Sequence, residues 1–223
     1  MEKVQKKAII SLGIMLMVQI VWLLSLIPID NNINFTAITH SLIRMGLLWY
    51  LILIPLVLLM RKDKETLWDI GFAKDKIFIQ IFIGVLVGAL VWIVFFAIGI
   101  PLGMGQLDLN AFSDINIWRV IHDLFVFTFV VGLVEETVYR GYVFKKSFDI
   151  THSKWLAIIL SSFLFGLFHF VVYGTNLILY IAAIAFALVY CICKEKIKHC
   201  TVLSLIVAHG IHNTLWMVFG WYG

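Results

Sequence analysis

Three groups of polar side chains interrupt long apolar runs, and all are of types that move protons or bind metals. Carboxylates and imidazoles act as general acids and bases, and three such ligands can hold a catalytic zinc ion. Ionisable groups inside apolar segments are costly, so they usually face a bundle interior or a water-filled cavity. We therefore interpret these side chains as candidate site residues: Glu135, Glu136 and Arg140, then His169, then His209 and Asn213.

The spacing within the first and third groups sets which side chains share a helix face. Glu136 and Arg140 are four residues apart, so they stack on one face with the acid N-terminal to the base, which predicts an ion pair. Glu135 is rotated about 100° from Glu136, so the two carboxylates need not share one role. His209 and Asn213 are also four residues apart and point the same way.

Depth along the helices tests whether the three groups belong together. At a rise of about 1.5 Å per residue, each group lies roughly 15 to 22 Å from a lysine at the end of its helix. The pairs measured are Glu135 with Lys145, His209 with Lys198 and His169 with Lys154. All three groups therefore fall near the middle of a bilayer, which is what one shared site requires.

The composition indicates that the helices that carry these groups lie in the hydrocarbon core of a membrane. Of 223 residues, 62% are apolar and 13% are charged, whereas soluble proteins contain roughly 25% charged residues; the mean hydropathy is +1.02. We predict an all-α integral membrane protein with a single transmembrane domain over residues 1–223. Its seven predicted spans lie at roughly 8–28, 40–60, 77–100, 120–144, 154–173, 175–193 and 200–221. A re-entrant segment within 103–116 would raise the number to eight.

The distribution of basic residues predicts the orientation of the chain. The N-terminus and alternate loops are rich in Lys and Arg, and the loops between them contain neither residue. This asymmetry places the N-terminus in the cytoplasm and the C-terminus outside, in the plasma membrane. The net charge of +4 is spread over these short clusters, so no nucleic-acid partner is expected.

The three groups, in this order, resemble the motifs of the CPBP family of intramembrane proteases. That family includes the eukaryotic CAAX prenyl endoprotease and bacterial Abi-like proteins linked to bacteriocin processing and self-immunity. Its pattern is Glu-Glu-x-x-x-Arg, then Phe-x-x-x-His, then His-x-x-x-Asn. Here the pattern is met by Glu135, Glu136 and Arg140, by Phe165 and His169, and by His209 and Asn213. The motif core covers residues from about 120 to 215.

The resemblance implies a role for each side chain. Glu135 would activate the attacking water, with His169 sharing or relaying the proton. His209 and Asn213 would donate hydrogen bonds to the oxyanion that develops on the scissile carbonyl. Glu136 with Arg140 would be a structural ion pair, although the roles of the two glutamates are interchangeable at this stage.

The resemblance leaves the use of a metal open. Glu135, His169 and His209 supply three zinc ligands if the enzyme depends on Zn²⁺. A metal-free glutamate mechanism is the alternative. No His-Glu-x-x-His motif and no Gly-x-Ser-x-Gly motif is present in the sequence.

The predicted function is an intramembrane endopeptidase that hydrolyses peptide bonds of peptide or membrane-anchored protein substrates, with the lipid bilayer as its other partner. The alternative from a different class is a non-catalytic membrane protein, either an immunity or scaffold protein or a small transporter. Intramembrane carboxylates and histidines also serve proton relays in transporters. However, the sequence shows no paired inverted repeat of the kind that many transporters have.

Overall fold

The computed structural model describes residues 3–32, 48–102, 106–107, 115–169 and 176–221. Most of these residues lie in helices: α1 (Lys3–Asn32), α2 (Leu53–Asp63), α3 (Ile77–Gly99), α4 (Ile117–Thr151), α5 (Lys154–Phe168), α6 (Leu177–Lys196) and α7 (Val202–Phe219). A one-turn helix, Leu48–Tyr50, precedes α2. The two-residue strands β1 (Gln106–Leu107) and β2 (Gly220–Trp221) pair antiparallel. Helices thus account for nearly all regular structure in the described residues, as the predicted all-α class requires.

Five of the described helices are long and apolar enough to cross a membrane, namely α1 (over Lys3–Ser25), α3, α4, α6 and α7. Helix α5 is also apolar, but its 15 residues fall short of the about 20 that a span needs. The predicted spans 40–60 and 154–173 each extend into residues outside the described part. The membrane prediction is therefore supported by five candidate spans, and the predicted number of seven or eight is not confirmed.

Helix α4 departs from a regular α-helix along much of its length. It contains two π-helical stretches, Val126–Gly132 and Glu136–Val143, separated by a short α-helical turn, Leu133–Glu135. π-Helical turns are rare and occur frequently at functional sites. The predicted span 120–144 is correct in place, but the helix is longer, with 35 residues.

Local side chains fix the start of α4 and the turn into α5. The side chain of Asn116 accepts hydrogen bonds from the backbone N–H groups of Trp118 (3.1 Å) and Arg119 (3.2 Å), as an N-cap residue does. At the other end, His152 adopts a left-handed conformation with φ 54° and stops α4. Ser153 then caps α5, because its hydroxyl accepts from the N–H of Leu156.

The described residues fall into two compact units. The first comprises residues 1–72 and 134–192, and the second comprises residues 73–133 and 193–223. In the first unit the C-terminal part of α4 packs against α5 and α6. The buried side chains at this contact are Phe144, Ala157, Ile158 and Cys191.

A network of charged side chains joins α1, α2 and α4 within the first unit. Asp63 accepts hydrogen bonds at Oδ2 from Nζ of Lys146 (2.6 Å) and Oγ of Ser11 (2.8 Å), and Nζ of Lys7 lies 3.2 Å from its Oδ1. Lys146 also donates to Oε1 of Glu65 at 2.8 Å. Burial alone would raise the pKa of Asp63, but the bond and charge of Lys146, with Ser11 and Lys7, lower it. The charged carboxylate therefore ties three helices together.

In the second unit, α7 packs on α3 at two glycines. A Cβ on Gly84 would lie 2.5 Å from the backbone oxygen of Ser204, and a Cβ on Gly88 would lie 2.5 Å from that of Ala208. Only glycine permits this approach, and small residues at helix contacts are a common means of close packing in membranes.

Candidate active site

The predicted ion pair between Glu136 and Arg140 is present and fully buried. Nε of Arg140 lies 3.2 Å from Oε2 of Glu136, and both side chains have 0% relative exposure. The guanidinium carbon of Arg140 also lies 4.1 Å from the centroid of the Phe165 ring, within cation–π range. The pair is thus held by α4 on one side and by α5 on the other.

The π-helical stretch that contains this pair changes the positions of its neighbours. A π-helix closes its hydrogen bonds from residue i to i+5, so residues four apart still lie near one face. Glu135 ends the α-helical turn immediately before this stretch. It is buried, with 7% exposure, and it lies next to Glu136 in the chain on a different side of the helix.

His169 is the C-cap residue of α5, and the rest of the predicted span, residues 170–173, lies outside the described residues. Its backbone N–H bonds to the carbonyl of Gly166 at 3.0 Å, so the carbonyl of Phe165 is released from the regular helical pattern. Nδ1 of His169 donates to that carbonyl at 2.8 Å, and the two rings lie 4.3 Å apart. With Nδ1 protonated, Nε2 is the nitrogen that can accept a proton.

Phe165 connects the two predicted groups of the first unit. Its ring contacts the guanidinium of Arg140 on one side and the imidazole of His169 on the other. The side chain is buried, with 2% exposure. The first two motif groups are therefore brought together within the first unit, and Phe165 sets their spacing.

The third motif group lies on α7 in the second unit. His209 is buried, with 3% exposure, and Asn213 is half-buried. The neighbouring His212 is also buried and meets the ring of Phe95 edge-on at 6.3 Å. His209 faces Gly132 of α4, where an added Cβ would lie 3.3 Å from the Cβ of His209. This glycine gives the histidine the room that it occupies.

Two further residues next to the first motif group were missed by the sequence reasoning. Tyr139 is buried with 6% exposure, interacts electrostatically with Glu135, and meets the ring of Phe165 edge-on at 5.2 Å. The side chain of Gln19, on α1, hydrogen-bonds with the hydroxyl of Tyr139. A lone glutamine within the apolar run of α1 was the available signal, although nothing in the sequence shows which helix it meets.

The positions of the possible donor side chains bear on whether the site holds a metal ion. Among the residues that the structure describes, no group of three or more His, Cys, Asp or Glu side chains is arranged to hold a metal ion. The predicted zinc ligands Glu135 and His169 lie in the first unit, and His209 lies in the second. A zinc ion at this site stays a prediction.

Comparison with known proteins finds a match between part of the chain and a family of membrane proteases. Residues 117–215 match the family model described as type II CAAX prenyl endopeptidase, Rce1-like. No curated protein and no solved structure matches the chain. The matched segment contains all three motif groups, and together with the apolar helices it indicates a multi-pass membrane protein. Through residues 117–215, the chain is therefore similar to the type II CAAX prenyl endopeptidases.

Proposed function

We propose that this protein is an intramembrane endopeptidase that hydrolyses peptide bonds of membrane-associated or peptide substrates with a glutamate-activated water. The observation that carries the proposal is a fully buried ion pair with a second buried carboxylate beside it in the chain. Glu136 is engaged by Arg140 in a fully buried ion pair, whereas Glu135 precedes that pair on another side of the helix. Since the carboxylate of Glu136 is held by Arg140, we assign it a structural role, and we assign the role of general base to the buried Glu135.

In the proposed reaction, Glu135 takes a proton from a water molecule as the water oxygen forms a bond to the scissile carbonyl carbon. The carbonyl π electrons move to oxygen and form an oxyanion. Collapse of this intermediate re-forms the carbonyl and breaks the C–N bond, and the amine leaves with the proton that Glu135 had accepted. The hydrogen bond from Nδ1 of His169 to the backbone carbonyl of Phe165 orients the imidazole, and its Nε2 shares or relays that proton.

We assign stabilisation of the oxyanion to His209 and Asn213. Both residue types supply N–H donors, and donors placed in advance at a developing negative charge lower the barrier without reorganisation. The burial of His209 and the close approach of Gly132 hold that imidazole in one position.

The family match and the distribution of basic residues support a substrate class and an orientation in the membrane. The family match favours a C-terminal peptide that carries a prenyl group, and a bacteriocin or leader peptide is the alternative substrate. The basic loops favour a plasma-membrane protein with a cytoplasmic N-terminus and an external C-terminus. A zinc ion, if bound, would polarise the attacking water and the carbonyl.

The test is cleavage of a peptide panel by purified protein in lipid nanodiscs. The panel contains a farnesylated peptide with a Cys-a-a-X C-terminus, the same peptide without the farnesyl group, and two unrelated membrane-associated peptides. Wild type should cut at least one peptide, and Glu135→Gln should reduce the rate by about 10²- to 10⁴-fold. His209→Ala should cost about 10²- to 10³-fold, as loss of one oxyanion donor does.

The control is Glu195→Gln, the same chemical change at the end of α6, which should leave the rate unchanged. Each reaction is repeated with a zinc chelator and with added Zn²⁺, which decides whether a metal takes part. If folded wild type cuts no peptide, the protease proposal is wrong and a non-catalytic scaffold role replaces it. If Glu135→Gln cuts as fast as wild type, Glu135 is not the general base.

A further inference from the structure

A buried amide on α1 has no role in the mechanism above. Gln19 lies in an apolar helix, has 4% exposure, and its Oε1 has no hydrogen-bond partner among the described residues. A buried polar atom without a partner costs about 1 to 3 kcal/mol, so such atoms are rare in native structures. This oxygen can therefore accept a hydrogen bond from a bound ligand.

Gln19 is linked to the candidate base through Tyr139. Its side chain hydrogen-bonds with the hydroxyl of Tyr139, and Tyr139 interacts electrostatically with Glu135. Since Oε1 has no partner in the described part of the chain, the amide nitrogen is the group that bonds to Tyr139. The carbonyl oxygen is thus left to accept a hydrogen bond beside the glutamate that we assign to water activation.

The tyrosine is fixed from several directions. Its ring meets Phe165 at 5.2 Å and Phe168 at 6.2 Å. Its backbone carbonyl accepts a hydrogen bond from Oγ of Ser161 at 2.7 Å. Tyr139 is therefore a rigid support, and the amide of Gln19 bonded to it has one preferred orientation.

We propose that Gln19 is a substrate-binding residue whose carbonyl oxygen accepts a hydrogen bond from a backbone N–H of the peptide substrate. The inference rests on the proposed function, because it assumes that a peptide enters beside Glu135. A peptide that leaves water for an apolar site must find partners for its N–H groups, and a preoriented carbonyl is such a partner. Tyr139 is the positioning residue that orients the amide.

The inference extends the site beyond the segment that matches the family. Gln19 lies on α1, whereas the match covers residues 117–215. The N-terminal helix would thus contribute directly to substrate binding, in addition to anchoring the chain in the membrane.

The test measures binding separately from cleavage. A fluorescently labelled, farnesylated peptide with a Cys-a-a-X C-terminus is titrated with Glu135→Gln protein in nanodiscs, and empty nanodiscs give the lipid background. Gln19→Met, added to this protein, keeps the approximate size of the side chain but removes the acceptor oxygen together with the amide nitrogen that bonds to Tyr139. We expect a Kd about three- to tenfold higher, as loss of one hydrogen bond predicts. Met17→Leu, on the exposed side of α1, is the matched control.

A scan of N-methylated peptides separates substrate binding from a structural role. Methylation of one backbone nitrogen of the peptide should weaken binding to the protein that retains Gln19. It should have no effect on binding to the Gln19→Met protein, because the methyl group and the substitution remove the same hydrogen bond. Tyr139→Phe should show a reduced sensitivity at that same nitrogen. The melting temperature of Gln19→Met is compared with that of Tyr139→Phe, since each variant loses the hydrogen bond between Gln19 and Tyr139.

The outcomes distinguish this inference from the proposed function. If wild type cuts peptides, but Gln19→Met changes neither the Kd nor the effect of any N-methyl group, only the inference about Gln19 is overturned. Binding that depends on Gln19, in a protein whose wild type cuts nothing, overturns the protease proposal and supports the inference. A folded protein that binds no peptide overturns both.

Discussion

At the scale of single residues, two adjacent glutamates occupy different environments. Glu136 is fully buried against the guanidinium of Arg140, which in turn lies over the ring of Phe165. Glu135 is buried one position earlier, with the hydroxyl of Tyr139 in electrostatic range. Removal of each carboxylate should therefore have a different consequence.

We predict that Glu136→Gln lowers stability and that Glu135→Gln lowers activity. Glu136→Gln leaves a buried guanidinium without its counter-charge, a change that typically costs about 3 to 5 kcal/mol. Thermal melts of both variants in nanodiscs measure the first effect, and single-turnover cleavage measures the second. Equal loss of melting temperature in the two variants would contradict the division of roles.

At the scale of elements, the contact between α3 and α7 depends on glycine. A Cβ at Gly88 would lie 2.5 Å from the backbone oxygen of Ala208 and 2.9 Å from its Cα, so one helix must move. We predict that Gly88→Ala destabilises the second unit by about 1 to 3 kcal/mol, as overpacking does. The measurement is the denaturant midpoint of the purified protein.

The matched control for this prediction is Gly13→Ala on α1. A Cβ added at Gly13 meets no atom within 4 Å, and alanine is the better helix former. This variant should be as stable as wild type or slightly more stable. If the two alanine variants shift the midpoint equally, helix propensity rather than helix contact is responsible.

The charged network of the first unit predicts a dependence of stability on pH. Asp63 links Lys7 and Ser11 of α1 to Lys146 of α4, and these partners lower its pKa despite its burial. A carboxylate with a depressed pKa stabilises the folded state fully above its unfolded pKa of about 3.9, and this contribution is lost as the pH falls through the folded value.

We therefore predict that Asp63→Asn destabilises the protein by about 1 to 3 kcal/mol at neutral pH, since Lys146 keeps Glu65 as a partner. The difference from wild type should shrink below about pH 4. Melting temperatures of both proteins between pH 3 and pH 7 provide the measurement. A difference that is the same at every pH would show that packing, rather than charge, explains the effect.

At the scale of the whole molecule, the sequence predicted what local geometry determines. The pairing of Glu136 with Arg140 was predicted from their four-residue spacing. Helices α3, α6 and α7 were predicted as membrane spans from the length of their apolar runs. The π-helical stretches could not be predicted, because periodicity rules assume a regular α-helix. The contact of Gln19 with Tyr139 was equally hidden, since it joins residues 120 positions apart in the chain.

The orientation of the molecule in the membrane is a prediction that labelling can test. The positive-inside rule places the basic residues after α2 in the cytoplasm and the residues before α4 outside. Lys62 and Ile115 are exposed side chains at these two places. In intact cells, a membrane-impermeant maleimide should label Ile115→Cys, and it should label Lys62→Cys only after permeabilisation.

The native cysteines give this experiment a low background. Cys191 is buried, and burial raises the pKa of Cys200 to about 12, so little reactive thiolate is present at neutral pH. Wild type, which also contains the half-buried Cys193, is the control for residual labelling. Labelling of Lys62→Cys in intact cells, with Ile115→Cys protected, would reverse the orientation. It would also place the basic loops outside the cell. Substrates arriving from the cytoplasm would then meet the ends of the helices that lie away from the basic loops.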